Sequence, residues 1–258
     1  FIADRNNITR VWMDHAFWPF VTTRLYLDQT GDMEVLFEKV PYFKDLQSMR
    51  GTAHDKFWNS EYGQKQKTER DHIYFGTVLE HILLQNLCAF YDVGEHNEMR
   101  LHGADWNDAL DMAWEKGESV AFIAKTLRQL EEISGSSKIE IAHEMEDLLA
   151  GSVELYEDAA RKQALLAGYA KKCEHNISGD TIVVRLDQLA ANLEGKADWM
   201  MKNIRANEWV KDGEDGWFNG YYDNHGRKVE GVMDESVRMM LTGQVFAIMS
   251  GTATEDQV

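Results

Sequence analysis

The segment from Asp71 to Val93 sets the tightest limit on the fold, because Ile73, Phe75, Val78, Leu79, Ile82, Leu83, Leu87 and Phe90 recur at helical spacing. They cover more than half the circumference of a helix, and a helix that apolar is surrounded by protein on most sides. A chain of 258 residues, 44% hydrophobic, can supply that surround as one large domain or two ordinary ones, and one helical body is the simpler arrangement. Glu80 and His81 sit inside this apolar helix. Burial makes such groups costly without partners, so they are expected to be hydrogen-bonded and to hold a neighbouring loop in place.

Similar spacing recurs along the chain. Residues 8 to 29 carry a broad apolar face through Phe17, Phe20, Val21 and Leu25, with Pro19 marking either the helix start or a kink. Thr30-Gly31-Asp32 reads as a stop followed by an N-cap, and Met33 to Val40 as a short helix ended by Pro41. Residues 42 to 69 are polar and aromatic without period and read as a long loop, with a disordered excursion as the alternative. Asp108 to Trp114 reads as a helical turn, and helices are expected from Ser119 to Ile133, from Ile139 to Ala150 and from Ser152 to Cys173. Residues 181 to 206 open strand-like at Ile182-Val183-Val184 before the helical period resumes. The Gly- and aromatic-rich residues 207 to 228 read as a loop or small hairpin, and Asp234 to Ser250 as a last helix. Apolar helices pairing across loops of unequal length predict an all-α fold over residues 1–258, of the alpha-alpha toroid type.

Between two apolar segments lies Leu101-His102-Gly103-Ala104-Asp105-Trp106-Asn107-Asp108-Ala109-Leu110-Asp111. Asn107-Asp108 before Ala-Leu can be a helix N-cap, with Asp111 adding favourable charge to the first turn. Capping accounts for one acid and leaves Asp105 and Trp106 unexplained. Cleaving a glycosidic bond requires a carboxylic acid that stays protonated near neutral pH, and neighbouring like charges and an apolar wall raise a carboxyl pKa. Asp108 beside Asp105 and Asp111, walled by Trp106, meets that requirement. Phe57-Trp58 and Trp217-Phe218 with Tyr221-Tyr222 are either core filler or rings that stack on sugars.

Other chemistries find less support. The net charge of −17 repels nucleic acid and anionic membranes. Cys88 and Cys173 each lie in an apolar helical pattern, which favours a reducing compartment over a disulfide framework. With no 18-residue apolar run and no signal-peptide core at Phe1-Ile2-Ala3-Asp4-Arg5, a cytoplasmic location is expected. The start without Met, and the end at Gln257-Val258 soon after an apolar helix, suggest a piece of a longer polypeptide. His72, His81, His96 and His102 complete no metal-ligand spacing, so no metal is expected. No Gly-x-Gly-x-x-Gly follows a strand, and neither a Walker-type loop nor a Gly-x-Ser-x-Gly elbow occurs.

Gly103-Ala104-Asp105-Trp106-Asn107-Asp108 resembles the Gly-Asp-Trp-Asn-Asp-Gly signature of the cellobiose phosphorylase-type inverting glycoside phosphorylases. Asp14-His15-Ala16-Phe17-Trp18 resembles the family's Asp-rich segment, and Thr77-Val78-Leu79-Glu80-His81 its Glu-His helix. Trp217-Phe218-Asn219-Gly220-Tyr221-Tyr222-Asp223 is similar to its Trp-Phe-x-x-Ala-Tyr-Asp loop, and Gln244 to Gly251 to its late helix. The resemblance implies an (α/α)6-barrel catalytic domain, present here in part. It further implies Asp108 as general acid, Asp105, Trp106 and Asn107 at the sugar, and Asp14 and Trp217 as further substrate contacts. No cofactor is implied: inorganic phosphate is the co-substrate, already a good nucleophile at neutral pH, so one acid suffices.

Ala104 and Ala109 stand where the commonest form of the signature has Gly, which looks like the branch acting on β-1,2-linked glucose oligomers. The family's Arg-Asp segment is expected upstream of Phe1 and its His and Thr-Gly phosphate contacts beyond Val258, so the isolated piece is expected to have little activity. Its N-terminal β-sandwich is likewise expected to lie outside this piece, and the full-length protein is expected to be a homo-oligomer. Two alternatives stand beside this reading. One is a hydrolase on the same barrel, with Glu230 or Glu235 activating water; the other is a non-catalytic carbohydrate-binding or assembly module whose acidic loop is only a helix cap.

Overall fold

The computed structural model describes residues 16–102, 118–119, 138–233 and 236–258. Helix α1, Phe17–Thr30, starts two residues before Pro19, which therefore falls in the first turn, where no intrahelical N–H is required. Gly31 ends it in the left-handed conformation, and the Asp32 side chain then caps Glu34 N–H. Met33–Phe37 is a 3-10 helix, and the chain straightens into strand β1, Lys39–Pro41. The long polar segment that follows contains short strands β2, Gln47–Ser48, and β3, Ala53–His54, paired antiparallel.

Strand β4, Phe75–Thr77, pairs with β1 and runs directly into helix α2, Val78–Tyr91, whose start is fixed by Thr77 accepting from Glu80 N–H at 3.1 Å. The buried helix of the sequence is thus shorter than its apolar pattern, because Phe75 belongs to a strand. Its surround is as expected: Leu83, Leu87 and Phe90 are fully buried. Each such side chain contributes about 1.5–3 kcal/mol of burial.

Beyond α2 come two-residue strands β5, Met99–Arg100, and β6, Glu118–Ser119. Strand β7, Lys138–Ala142, pairs over five residues with β8, Thr181–Arg185, and between them lie a 3-10 helix, His143–Leu149, and helices α3, Val153–Tyr156, and α4, Ala159–Lys172. Helix α5, Leu186–Asn207, leads to the hairpin β9, Trp209–Asp212, with β10, Asp215–Phe218. Strand β11, Tyr221–Tyr222, a second hairpin of β12, Gly231–Met233, with β13, Ser236–Arg238, and helix α6, Leu241–Met249, complete the described chain. Helices α1, α2, α4 and α5 and strand β7 share one core.

The fold is mixed α/β with several small antiparallel sheets, which corrects the expected all-α barrel; no ring of paired inner and outer helices is evident among the described residues. The physical reason is local. Lys138-Ile139-Glu140-Ile141-Ala142 alternates exposed and buried, with Ile139 and Ile141 inward and Lys138 and Glu140 outward, a strand period where a helix was expected. Residues 236–238 are likewise strand, and in α6 the buried residues are the small Gly243 and Ala247, with Phe246 half-buried against the core, while Leu241, Ile248 and Met249 are exposed. The expected helices 108–114 and 119–133 and the N-terminal part of the first one fall almost wholly outside the described residues. No helix of the described residues is long and apolar enough to cross a membrane.

Candidate functional site

Three two-residue strands form one sheet in the order β11, β6, β5. Met99 and Arg100 of β5 oppose Ser119 and Glu118 of β6, and these oppose Tyr221 and Tyr222 of β11. The chain therefore enters and leaves residues 101–117 through paired neighbours. Asp105, Trp106, Asn107 and Asp108 belong to that stretch and, like Asp14, lie outside the described residues, as does Glu235. Strand β11 follows the Trp217-Phe218-Asn219-Gly220 segment, so two of the segments singled out in the sequence meet at one sheet.

On the α2 side the sheet is tied down by a buried carboxylate. Asp92, the residue after α2, accepts with Oδ2 from Arg50 Nε at 2.8 Å and faces His102 Nε2 at 2.7 Å. Burial pushes the Asp92 carboxyl up, but the hydrogen bond with His102 and the charge of Arg50 outweigh it and hold the group at about 2. His102 takes a φ of +51°, rare for a side chain with a Cβ, and its ring contact with Asp92 fixes the residue that precedes Gly103.

On the β11 side two buried glutamates hold the turn. Glu208 accepts from Asn219 Nδ2 at 2.8 Å and Tyr222 OH at 2.7 Å, with Lys228 Nζ at 3.4 Å. Glu230 accepts from Gly220 N–H at 3.0 Å and Met240 N–H at 3.1 Å. Burial raises the Glu230 carboxyl to about 7 against the opposing pull of those two amides. Both Glu230 oxygens are occupied by backbone, which is the geometry of a turn anchor. The Tyr222 ring stacks on His96 at 3.7 Å, joining this turn to the segment between α2 and β5.

Trp217 sits in β10 with its ring 5% exposed, and its indole N–H has no partner among the described residues. Phe57 is the opposite case, 75% exposed, while Trp58 donates Nε1–H to Gly63 O at 3.0 Å. Glu80 and His81 are partnered, but elsewhere: Glu80 accepts from Tyr42 OH at 2.8 Å and Tyr74 OH at 3.1 Å, and His81 Nε2 lies 3.0 Å from Val40 O with its ring stacked on Tyr42. Those contacts tie α2 to the β1–β4 pair. Among the described residues no group of three or more His, Cys, Asp or Glu is arranged to hold a metal ion. Arg50, Asp92 and Glu208 carried no signal in the sequence, since their partners are distant or periodicity does not mark them.

No family model matches the chain. It is 26% identical over 245 residues to the solabiose phosphorylase of Paenibacillus borealis, a match covering 94% of this chain and 22% of that protein. It is 28% identical over 123 residues, 46% of this chain and 4% of the relative, to the cyclic beta-(1,2)-glucan synthase NdvB of Rhizobium meliloti (strain 1021). The chain thus spans about a fifth, 22%, of the length of the first of these relatives, and along nearly all of its own length it is similar to a glycoside phosphorylase.

Proposed function

We propose that this chain is the acid-bearing part of an inverting glycoside phosphorylase, with Asp108 as the general acid. The observation that carries the reading is the similarity to a phosphorylase over 94% of the chain. In the proposed reaction inorganic phosphate, the co-substrate, attacks the anomeric carbon of a β-linked glucosyl residue. The bond to the leaving oxygen breaks as Asp108 gives that oxygen its proton, and the configuration inverts to an α-glucose 1-phosphate. Asp105, Trp106 and Asn107 contact the sugar, with Asp14 and Trp217 as further contacts, and no cofactor takes part. The partners are an oligosaccharide and phosphate, the working form is a homo-oligomer, and the reaction is cytoplasmic. The β-1,2 linkage is the substrate favoured, supported by Ala104 and Ala109 and by the second relative, whose name specifies a β-(1,2)-glucan.

The assay is release of glucose 1-phosphate from a β-1,2-linked gluco-oligosaccharide by the full-length protein, with and without phosphate. Asp108→Asn should remove the phosphate-dependent activity, a loss of about a thousandfold or more if the acid supplies the upper end of a general-acid contribution. Cleavage proceeding equally well without phosphate would overturn the phosphorylase reading in favour of a hydrolase. Sugar binding with no turnover under either condition would favour a binding module. Glu230 offers little to the hydrolase alternative, since both of its oxygens already accept backbone hydrogen bonds.

A further inference from the structure

A cavity of about 180 Å³ lies between α2, the segment after β1, the 3-10 helix following β7, and α4, away from the three-stranded sheet. One water needs about 10–15 Å³ of such volume, so this space is more than ten times too large to be a single hydration site. Its wall joins the carboxylates of Glu80 and Glu144 to the rings of Tyr42, Tyr74 and Tyr169 and to an apolar side made by Leu84, Met145 and Ile177. A mostly apolar hollow with a few convergent polar groups is the usual form of a small-molecule site.

The charge of the wall is one-sided. Glu80 and Glu144 form no ion pair among the described residues; Glu80 accepts from Tyr42 OH and Tyr74 OH, and Lys39 and Lys172 act on Glu80 and Glu144 only through space. The nearby cations are engaged elsewhere, Lys44 with Asp55 at 2.9 Å and with the Glu174 carbonyl, and Lys172 with Asp147 at 2.6 Å. Glu144 is 5% exposed; its Oε1 accepts from Ser178 N–H at 2.7 Å, and its Oε2, sealed from solvent, has no hydrogen-bond partner among the described residues. A buried carboxylate oxygen left without a donor is costly, and an N–H donor bearing a positive charge offsets that cost better than a neutral one. An inorganic cation would demand a shell of oxygens that the Leu84, Met145 and Ile177 side does not offer.

We propose that this cavity binds a small primary alkylammonium ion, its charge held by the Glu144 carboxylate with Glu80 adding attraction from beside it, and its alkyl portion against Leu84, Met145 and Ile177. The site is separate from the proposed glycosidic chemistry, and its test does not depend on it.

The probe is n-butylammonium chloride, titrated calorimetrically into the chain beside sodium chloride, n-butanol and glucose as controls. Butylammonium alone should saturate with one site per chain, and Glu144→Gln, which keeps the volume and removes the charge, should weaken it about tenfold or more. In the wild-type chain, NOEs from the butyl group to the methyls of Leu84, Met145 and Ile177 should locate the ligand without recourse to a variant. Absence of saturable binding in the millimolar range, binding of n-butanol or glucose as tight as that of butylammonium, unchanged affinity in a folded Glu144→Gln, or NOEs to other residues would each overturn the proposal.

Discussion

At Asp92 a single carboxylate oxygen contacts both Arg50 and His102. Its folded pKa, about 2, lies below the ordinary 3.8, so the stability it contributes is fully present above pH 3.8 and is lost as pH falls toward 2. Asp92→Asn should therefore lower the unfolding free energy at neutral pH by about 2 kcal/mol and remove that segment of the acid limb. Urea unfolding of both proteins at neutral pH and near pH 3 checks it; parallel acid limbs would show that the contact contributes nothing. None of this was legible locally. Arg50 lies in an aperiodic polar stretch 42 positions before Asp92, and only the folded chain makes them neighbours. Glu80 and His81 were recognisable as groups needing partners, but sequence did not say that these would be Tyr42, Tyr74 and Val40 rather than the acidic loop.

Among the elements, α6 and the turn before β11 meet through glycines. A Cβ on Gly243 would lie 3.3 Å from Gly220 Cα, so Gly243→Ala should force the two backbones apart. The expected loss is about 1–3 kcal/mol, larger than the gain of up to about 1 kcal/mol in helix propensity. Gly195, inside α5, has nothing within 4 Å of an added Cβ, so Gly195→Ala should stabilise the chain by about 0.5–1 kcal/mol. Thermal or urea unfolding of the two variants distinguishes tight approach from simple propensity, and equal shifts would refute the close contact. Helix α2 was readable because a long apolar run has only one economical home. Strand β7 was not, because five residues with two inward isoleucines offer too short a window to separate a period of 2 from a period of 3.6. The exposed Leu241, Ile248 and Met249 show the converse: their spacing on α6 is helical, while the helix packs through Gly243, Ala247 and the half-buried Phe246.

For the molecule as a whole, a net charge of −17 sets the long-range term. Like charges repel in the compact state, and salt screens them, with the Debye length falling from about 30 Å at 0.01 M to about 8 Å at 0.15 M. The melting midpoint should rise over that range, measured calorimetrically at pH 7; a fall would mean that attractive surface pairs outweigh the net repulsion. Glu230 adds a term of the same sense with pH. Its folded pKa, about 7, lies above the ordinary 4.5, so its contribution is present below pH 4.5 and lost as pH rises through 7, and Glu230→Gln should flatten the profile in that window. Acidity and the dominant buried helix were legible in the sequence, whereas the choice between an all-α and a mixed architecture rested on several strands of two to five residues that local periodicity does not resolve.

The pairing of β5 with β6 has one further consequence. Met99–Arg100 and Glu118–Ser119 pair with each other, with β11 on the far side of β6, so residues far apart in sequence share one ladder. The sheet thus fixes where the chain leaves at Arg100 and returns at Glu118, one strand away from Tyr221–Tyr222, so both of these points and the turn before β11 are held in one hydrogen-bonded register.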